Sequence, residues 1–201
     1  MYVKLFFDDD GKVYLSAVNQ ITEPNVPKHA IGLATFTVEI DIKTGSCLSA
    51  ANWNCVSKFG MGIAEGPHIF KYGGYYYLST AEGGTDEGHQ QWIRRSKSGP
   101  YGPWEEGPMH TVNPVIYNGD DTNVRNTGHL DFIEREDGSW FAVFLGVRPQ
   151  GKDSCLLSSI GRETFLAPVK WVDGWPVVNE DRKSTHLNSS HSGESRMPSS
   201  A

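Results

Sequence analysis

The sequence is poor in the features that mark several common classes of protein. No apolar run approaches the roughly 18–20 residues that a membrane-spanning helix needs, so we expect no membrane partner. Basic residues number 18 against 24 acidic ones in 201, and no basic stripe could follow a phosphate backbone, which argues against nucleic acid. Only three cysteines occur, and none forms a CxxC pair. They predict neither a disulfide framework nor a zinc site, and we expect them to be small buried side chains.

The end of the chain also lacks apolar periodicity. Residues 181–201 form a Ser-rich stretch that follows abruptly on the strand-like segment WVDGWPVV at 171–178. This stretch resembles the conceptual translation of a short-read sequencing adapter. We therefore predict one domain over residues 1–180 and an artefactual or disordered tail over 181–201, whose histidines are not considered as ligands.

Three segments of the chain share one pattern, in which an apolar or aromatic run, a glycine turn and a second aromatic run follow one another. They read LFFDDDGKVYLSAV, HIFKYGGYYYLSTA and LDFIEREDGSWFAVF, and each is typical of a β-hairpin. Their turn glycines, Gly11, Gly74 and Gly138, are 74−11 = 63 and 138−74 = 64 residues apart. Such a period, filled with short strands, predicts an all-β fold made of β-propeller blades. Roughly 180 residues at this period give about three blades, which is too few to close a ring.

The same register singles out candidate functional residues. Nine positions before the three turn glycines stand Tyr2, Glu65 and His129. The first strand of each propeller blade lines the central axis, so matched positions near the strand starts converge on one cavity. Two titratable side chains at matched positions therefore predict an axial site that contains Glu65 and His129.

Four blocks of sequence carry a family resemblance. AEGPHIFKYGGYYYLSTAEGGT, NTGHLDF, LGVRP and GRETFLAPVKWVDGWPVVN resemble, in that order, the signatures of glycoside hydrolase family 43 in its β-xylosidase branch. The resemblance extends from residue 5 to about residue 179. It implies a five-bladed propeller that hydrolyses β-xylosides or α-L-arabinofuranosides with inversion. The implied substrates are xylooligosaccharides or sugars derived from arabinoxylan.

The resemblance also assigns roles to individual residues. Glu65 matches the general acid, which protonates the leaving oxygen of the glycosidic bond. Thr85 and His129 match positions that line the sugar-binding subsite, and Arg162 matches an arginine that reaches the active site. The family implies no required cofactor. It often holds a cation or an ordered water near the axis, which implies a calcium ion near His129, although a lone histidine is a poor calcium ligand.

The chain departs from the family at the other catalytic carboxylates. Inverting hydrolysis needs two carboxyl groups roughly 6.5–9.5 Å apart, one acting as acid and the other as base. The family's base lies in a first blade upstream of this chain, and a third acidic residue belongs where residues 2–4 read Tyr-Val-Lys. The acidic residues 8–10 do not replace it, because they lie in a hairpin turn. We therefore predict that this chain alone does not hydrolyse glycosides, whereas its full-length parent does.

Two other functions stay open at this stage. The first is a non-catalytic carbohydrate-binding propeller in which Trp53, Trp92 and Trp104 stack on sugar rings. The second is a structural or interaction propeller without a sugar site. The second is favoured if the predicted acid, histidine and arginine fail to converge on one cavity.

Overall fold

The computed structural model describes residues 3–20, 32–59, 62–121, 123–150 and 160–179. Within these ranges the regular structure consists of strands only, arranged in three antiparallel sheets whose strand order follows the chain. No helix of the described residues has the length and apolarity to cross a membrane. Cys155 and the predicted domain boundary after residue 180 lie outside the described residues.

Each sheet is one blade. Blade 1 contains β1 (Val3–Phe7), β2 (Val13–Gln20), β3 (Leu33–Ile40) and β4 (Asn52–Val56). Blade 2 contains β5 (Ala64–Tyr72), β6 (Tyr75–Glu82), β7 (Gln90–Ser96) and β8 (Glu105–Glu106), and the short β9 (Ile116–Tyr117) also pairs with β7. Blade 3 contains β10 (Arg125–Glu134), β11 (Trp140–Val147), β12 (Glu163–Val172) and β13 (Trp175–Val178). The molecule is thus a partial propeller of three blades, as the repeat predicts.

The three predicted hairpins are confirmed, and each opens a blade. Gly11, Gly74 and Gly138 have φ angles of 84°, 79° and 78°. A Cβ atom would meet nothing within 4 Å at any of them, so the left-handed backbone and not the available space selects glycine. Equivalent residues pair across the hairpins, with Phe6 opposite Tyr14, Phe70 opposite Tyr77 and Ile133 opposite Phe141.

Aromatic side chains hold blades 2 and 3 together. The rings of Tyr72 and Trp171 stack with their centroids 3.7 Å apart, and those of Phe70 and Phe132 lie 5.2 Å apart. The Tyr77 hydroxyl, which is buried, donates a hydrogen bond to the carbonyl of Gly174. In contrast to this packed boundary between blades, the outer blades 1 and 3 expose apolar side chains of β1 and β12.

The prediction for the cysteines is wrong at Cys47. This residue is exposed because it follows the polar turn after β3, where only an isolated bridge to Ile40 continues the sheet. Cys55 is half-buried on β4, and its Sγ lies 3.2 Å from Oγ1 of Thr35. Burial raises the pKa of the Cys55 thiol. Both cysteines are free thiols, in agreement with the absence of a predicted disulfide framework.

Candidate active site at the inner strands

Glu65 lies at the start of β5, the inner strand of blade 2, and its side chain is half-buried. It pairs with Ala81 of β6, and the ladder then shifts register before His68. Gly66 within this irregularity has a φ angle of 55°, a conformation that glycine adopts without strain. Irregularities of this kind change the direction of a side chain, so the shift in β5 sets where the Glu65 carboxyl points.

His129 occupies the matched position on β10, the inner strand of blade 3. Its φ angle is 53°, which is rare for a residue other than glycine. Its ring lies against the next blade, because a Cβ atom built on Gly66 would come 2.8 Å from the His129 Nε2. The His129 ring therefore lies beside the start of β5, which carries Glu65.

Arg162 and Thr85 lie at the same end of the inner strands. Arg162 is exposed and immediately precedes β12, and its charge lowers the pKa of His129 in addition to the larger effect of burial. Thr85 is exposed in the loop between β6 and β7. That loop begins at Gly83, whose amide donates a 3.2 Å hydrogen bond to the carbonyl of Ile63 beside the start of β5. The charge of Arg162 acts on both His129 and His89, so the predicted arginine lies near the matched histidine. A propeller without a sugar site stays an open alternative.

A buried histidine that the sequence analysis did not identify lies beside this group. His89 is the last residue of the same loop and is 1% exposed. Its Nδ1 lies 2.9 Å from the carbonyl oxygen of Asn126. Burial lowers the pKa of His89, and the charges of His129 and Glu65 act on it in opposite directions. The spacing of the hairpins gives no signal for it, because it lies outside them.

The inner strands also share a charged cluster. Nε2 of His68 lies 2.8 Å from one carboxylate oxygen of Asp131, and Nζ of Lys4 lies 3.0 Å from the other. The three residues come from β5, β10 and β1, so the cluster joins all three blades. Lys4 and Asp131 both stand seven positions before a turn glycine, 11−4 and 138−131. The repeat register therefore contained a signal for two members of this cluster.

The charged cluster makes stability depend on pH. Burial raises the pKa of Asp131, but the contacts with His68 and Lys4 outweigh it and hold the pKa below its usual range. Because the pKa of Asp131 is lower in the folded than in the unfolded protein, its ionised form stabilises the fold at pH values above the unfolded pKa of about 3.9. This stabilisation is lost as the pH falls through the pKa of the folded state. We expect Asp131→Asn to cost about 0.2–1 kcal/mol near neutral pH, the range for solvent-screened pairs.

Urea unfolding at two pH values tests this expectation. The loss of unfolding free energy caused by Asp131→Asn is expected to be largest at pH values above the unfolded pKa. It should shrink in strong acid, where the wild-type carboxyl is also protonated. Glu134→Gln, an exposed position on the same strand, serves as the control. An equal loss at both pH values would show that the ion pairs do not contribute.

Neither a metal site nor a tryptophan platform is evident among the described residues. No group of three or more His, Cys, Asp or Glu side chains in the described ranges could hold a metal ion, and calcium near His129 stays a prediction. Trp92 is 4% exposed, with its ring centroid 4.9 Å from that of Phe59, so it belongs to the core and cannot stack on a sugar. Trp53 is 52% exposed, but it lies on the outermost strand of blade 1.

The three blades define a partial β-propeller, and the polar side chains at one end of the inner strands form its candidate site. The family model of the glycosyl hydrolases family 43 matches residues 3–176. The chain belongs to this family, as the sequence blocks indicate.

Two curated relatives and two solved structures illustrate the likeness. A non-reducing end alpha-L-arabinofuranosidase of Bacteroides ovatus is 42% identical over 86% of this chain and 30% of its own length. A xylosidase/arabinosidase of Butyrivibrio fibrisolvens is 40% identical over 87% of this chain and 33% of its own. The chain thus spans about a third of the length of these relatives.

The structural matches agree with the sequence matches. A Bacteroides ovatus family 43 protein of a xyloglucan locus superposes with a TM-score of 0.71 at 38% identity, over 89% of this chain and 32% of that one. A xylan beta-1,4-xylosidase from Bacillus halodurans superposes with a TM-score of 0.75 at 27% identity, over 90% of this chain and 33% of that one. These neighbours are five-bladed propellers, and the present chain matches about a third of each.

Proposed function

We propose that the chain is part of an inverting glycoside hydrolase that acts on β-1,4-xylosides of xylooligosaccharides, on α-L-arabinofuranosides, or on both, with Glu65 as the general acid. The observation that supports this most is the contact between the His129 ring and Gly66, which places the matched histidine beside the acid. The names of the relatives, an arabinofuranosidase and a xylosidase/arabinosidase, support the same substrate classes.

The residues around Glu65 can bind sugar hydroxyls. Because burial lowers the pKa of His129, its imidazole is neutral near pH 7 and offers both a donor and an acceptor. The Arg162 guanidinium offers only hydrogen-bond donors. Thr85 adds a hydroxyl from the neighbouring loop. These side chains together can hold a sugar ring while the carboxylic acid of Glu65 protonates the glycosidic oxygen. The leaving group then departs as a neutral alcohol.

The catalytic base is proposed to come from a part of the parent protein outside this chain. Inversion requires a second carboxylate roughly 6.5–9.5 Å from the acid, with room for a water between the two. Two carboxylates on β10 and β6, the strands that neighbour or pair with the Glu65 region, already have cationic partners. Asp131 contacts His68 and Lys4, and Glu82 contacts Arg94. These ion pairs occupy the two carboxylates, which supports a base from elsewhere in the parent protein.

Hydrolysis assays on two forms of the protein test the proposal. The longer protein, recovered by extending the coding sequence on both sides, is expected to hydrolyse aryl β-xylosides or aryl α-L-arabinofuranosides. Proton NMR of the first product should show the inverted anomer. The 201-residue chain alone is expected to show no turnover. Hydrolysis of xylooligosaccharides by this chain that Glu65→Gln abolishes would contradict the missing base. Sugar binding without turnover by the longer protein would instead identify a non-catalytic carbohydrate-binding propeller.

A further inference from the structure

The buried His89 makes one polar contact, and that contact is with the backbone of the neighbouring blade. Its Nδ1 faces the carbonyl oxygen of Asn126 at 2.9 Å, so the Nδ1–H donates, and its Nε2 has no hydrogen-bond partner among the described residues. His89 precedes β7 in blade 2, whereas Asn126 belongs to β10 in blade 3. The hydrogen bond therefore crosses the blade boundary on the side of the predicted acid.

The segment that His89 contacts has an unusual backbone. Asn126 and His129 have φ angles of 55° and 53°, and the β10–β11 ladder shifts register on both sides of Gly128. Gly128 packs directly on the imidazole, because a Cβ atom there would lie 2.5 Å from the His89 Nε2. Left-handed residues other than glycine persist only where the surroundings hold them. Here the His89 ring and its Nδ1–H provide such a hold.

The same segment determines where His129 points. The His129 ring lies against Gly66, the residue that follows Glu65. Any relaxation of residues 126–129 toward an ordinary strand would turn the His129 side chain, because a change of register by one residue reverses the face on which a side chain lies.

We propose that His89 is a positioning residue of the active site. Its Nδ1–H bond to the Asn126 carbonyl fixes residues 126–129 in the bulged conformation that keeps the His129 ring against Gly66. His89 acts through His129 and does not itself contact the substrate. The effect on catalysis rests on the proposed function, whereas the effect on the backbone segment does not.

Two substitutions separate the hydrogen bond from simple filling of space. The amide nitrogen of an asparagine side chain takes nearly the place of a histidine Nδ1, so His89→Asn keeps the donor and loses most of the ring. His89→Leu fills the space better and loses the donor. Packing alone predicts that His89→Asn is the worse variant, and positioning predicts the reverse. Ile93→Val, at a fully buried site on β7, is the control for a mild loss of packing.

The variants are compared in the longer protein by two measurements. Hydrogen exchange followed by mass spectrometry is expected to show faster exchange of peptides covering residues 124–130 in His89→Leu, with His89→Asn and Ile93→Val close to wild type. Hydrolysis kinetics are expected to show kcat/KM lowered about 10- to 100-fold in His89→Leu, mostly through kcat, as for misplaced groups in an active site. His89→Asn is expected to retain most of the wild-type rate.

The two measurements distinguish failure of the positioning role from failure of the proposed function. If His89→Leu leaves the exchange of residues 124–130 unchanged, or if His89→Asn is as impaired as His89→Leu in exchange, the positioning role is overturned. If the wild-type longer protein hydrolyses no glycoside, the proposed function fails, and the exchange data alone decide whether His89 holds the segment. If His89→Leu shows faster exchange but normal kinetics, the orientation of His129 does not affect catalysis. That result would overturn the catalytic part of the proposal.

Discussion

Replacement of Glu65 by glutamine is expected to lower kcat/KM of the longer protein about 10²- to 10⁴-fold on xylooligosaccharides, the usual contribution of a positioned general acid. Glutamine has nearly the same shape and keeps a hydrogen-bond donor, but it cannot transfer a proton. The half-buried position at the irregular start of β5 limits the access of water that could replace the acid. The loss should therefore appear in the chemical step and leave sugar binding largely intact.

The leaving group makes this expectation specific to an acid. An aryl glycoside with a nitrophenolate leaving group needs little protonation, so Glu65→Gln should impair its hydrolysis far less than that of an oligosaccharide, whose alcohol leaves poorly without a proton. Glu134→Gln, on an exposed part of β10 near the hairpin turn, is the matched control and should leave both rates unchanged. Equal losses on both substrates would assign Glu65 a role in binding instead of proton donation.

The sequence predicted the hairpins well because their determinants are local. Gly11, Gly74 and Gly138 supply positive φ angles within a few residues of the strands that they join. Counting back from these glycines then located Glu65 and His129 without knowledge of any long-range contact, since each blade begins with the same inner strand. A repeat transfers information from one blade to the next, and for this reason the inner strands and their register were predicted better than the contacts between blades.

The sequence could not predict how the site is supported, because support depends on contacts between blades. The bond from His89 to Asn126 spans 37 residues and joins a loop of blade 2 to the part of β10 where the ladder shifts register. Single sequences carry no pattern for such shifts. The expectation of a buried Cys47 failed for a related reason, since the burial of a small side chain depends on whether a neighbouring strand continues over it.

The buried ion pair of blade 2 provides the largest expected effect on stability. Arg94 on β7 is 4% exposed and Glu82 at the end of β6 is 1% exposed, and Nη2 of the arginine lies 2.9 Å from Oε1 of the glutamate. The Thr80 hydroxyl extends the network, since it donates to Glu82 and accepts from Nη1 of Arg94, each at 3.0 Å. Glu82 pairs with Ala64, the neighbour of Glu65, so this network lies directly behind the acid.

Removing one partner of this pair leaves an uncompensated buried charge, which costs about 3–5 kcal/mol. Arg94→Ala should therefore lower the free energy of unfolding by that amount in urea titrations of the protein. Arg148→Ala, which breaks the exposed pair with Glu163, should lower the free energy of unfolding much less. The double variant Arg94→Met with Glu82→Leu tests the cause, because replacing both charges by apolar side chains removes the desolvation cost and should recover much of the stability. If the double variant is as unstable as Arg94→Ala, the loss comes from packing of the arginine stem and not from the unpaired carboxylate.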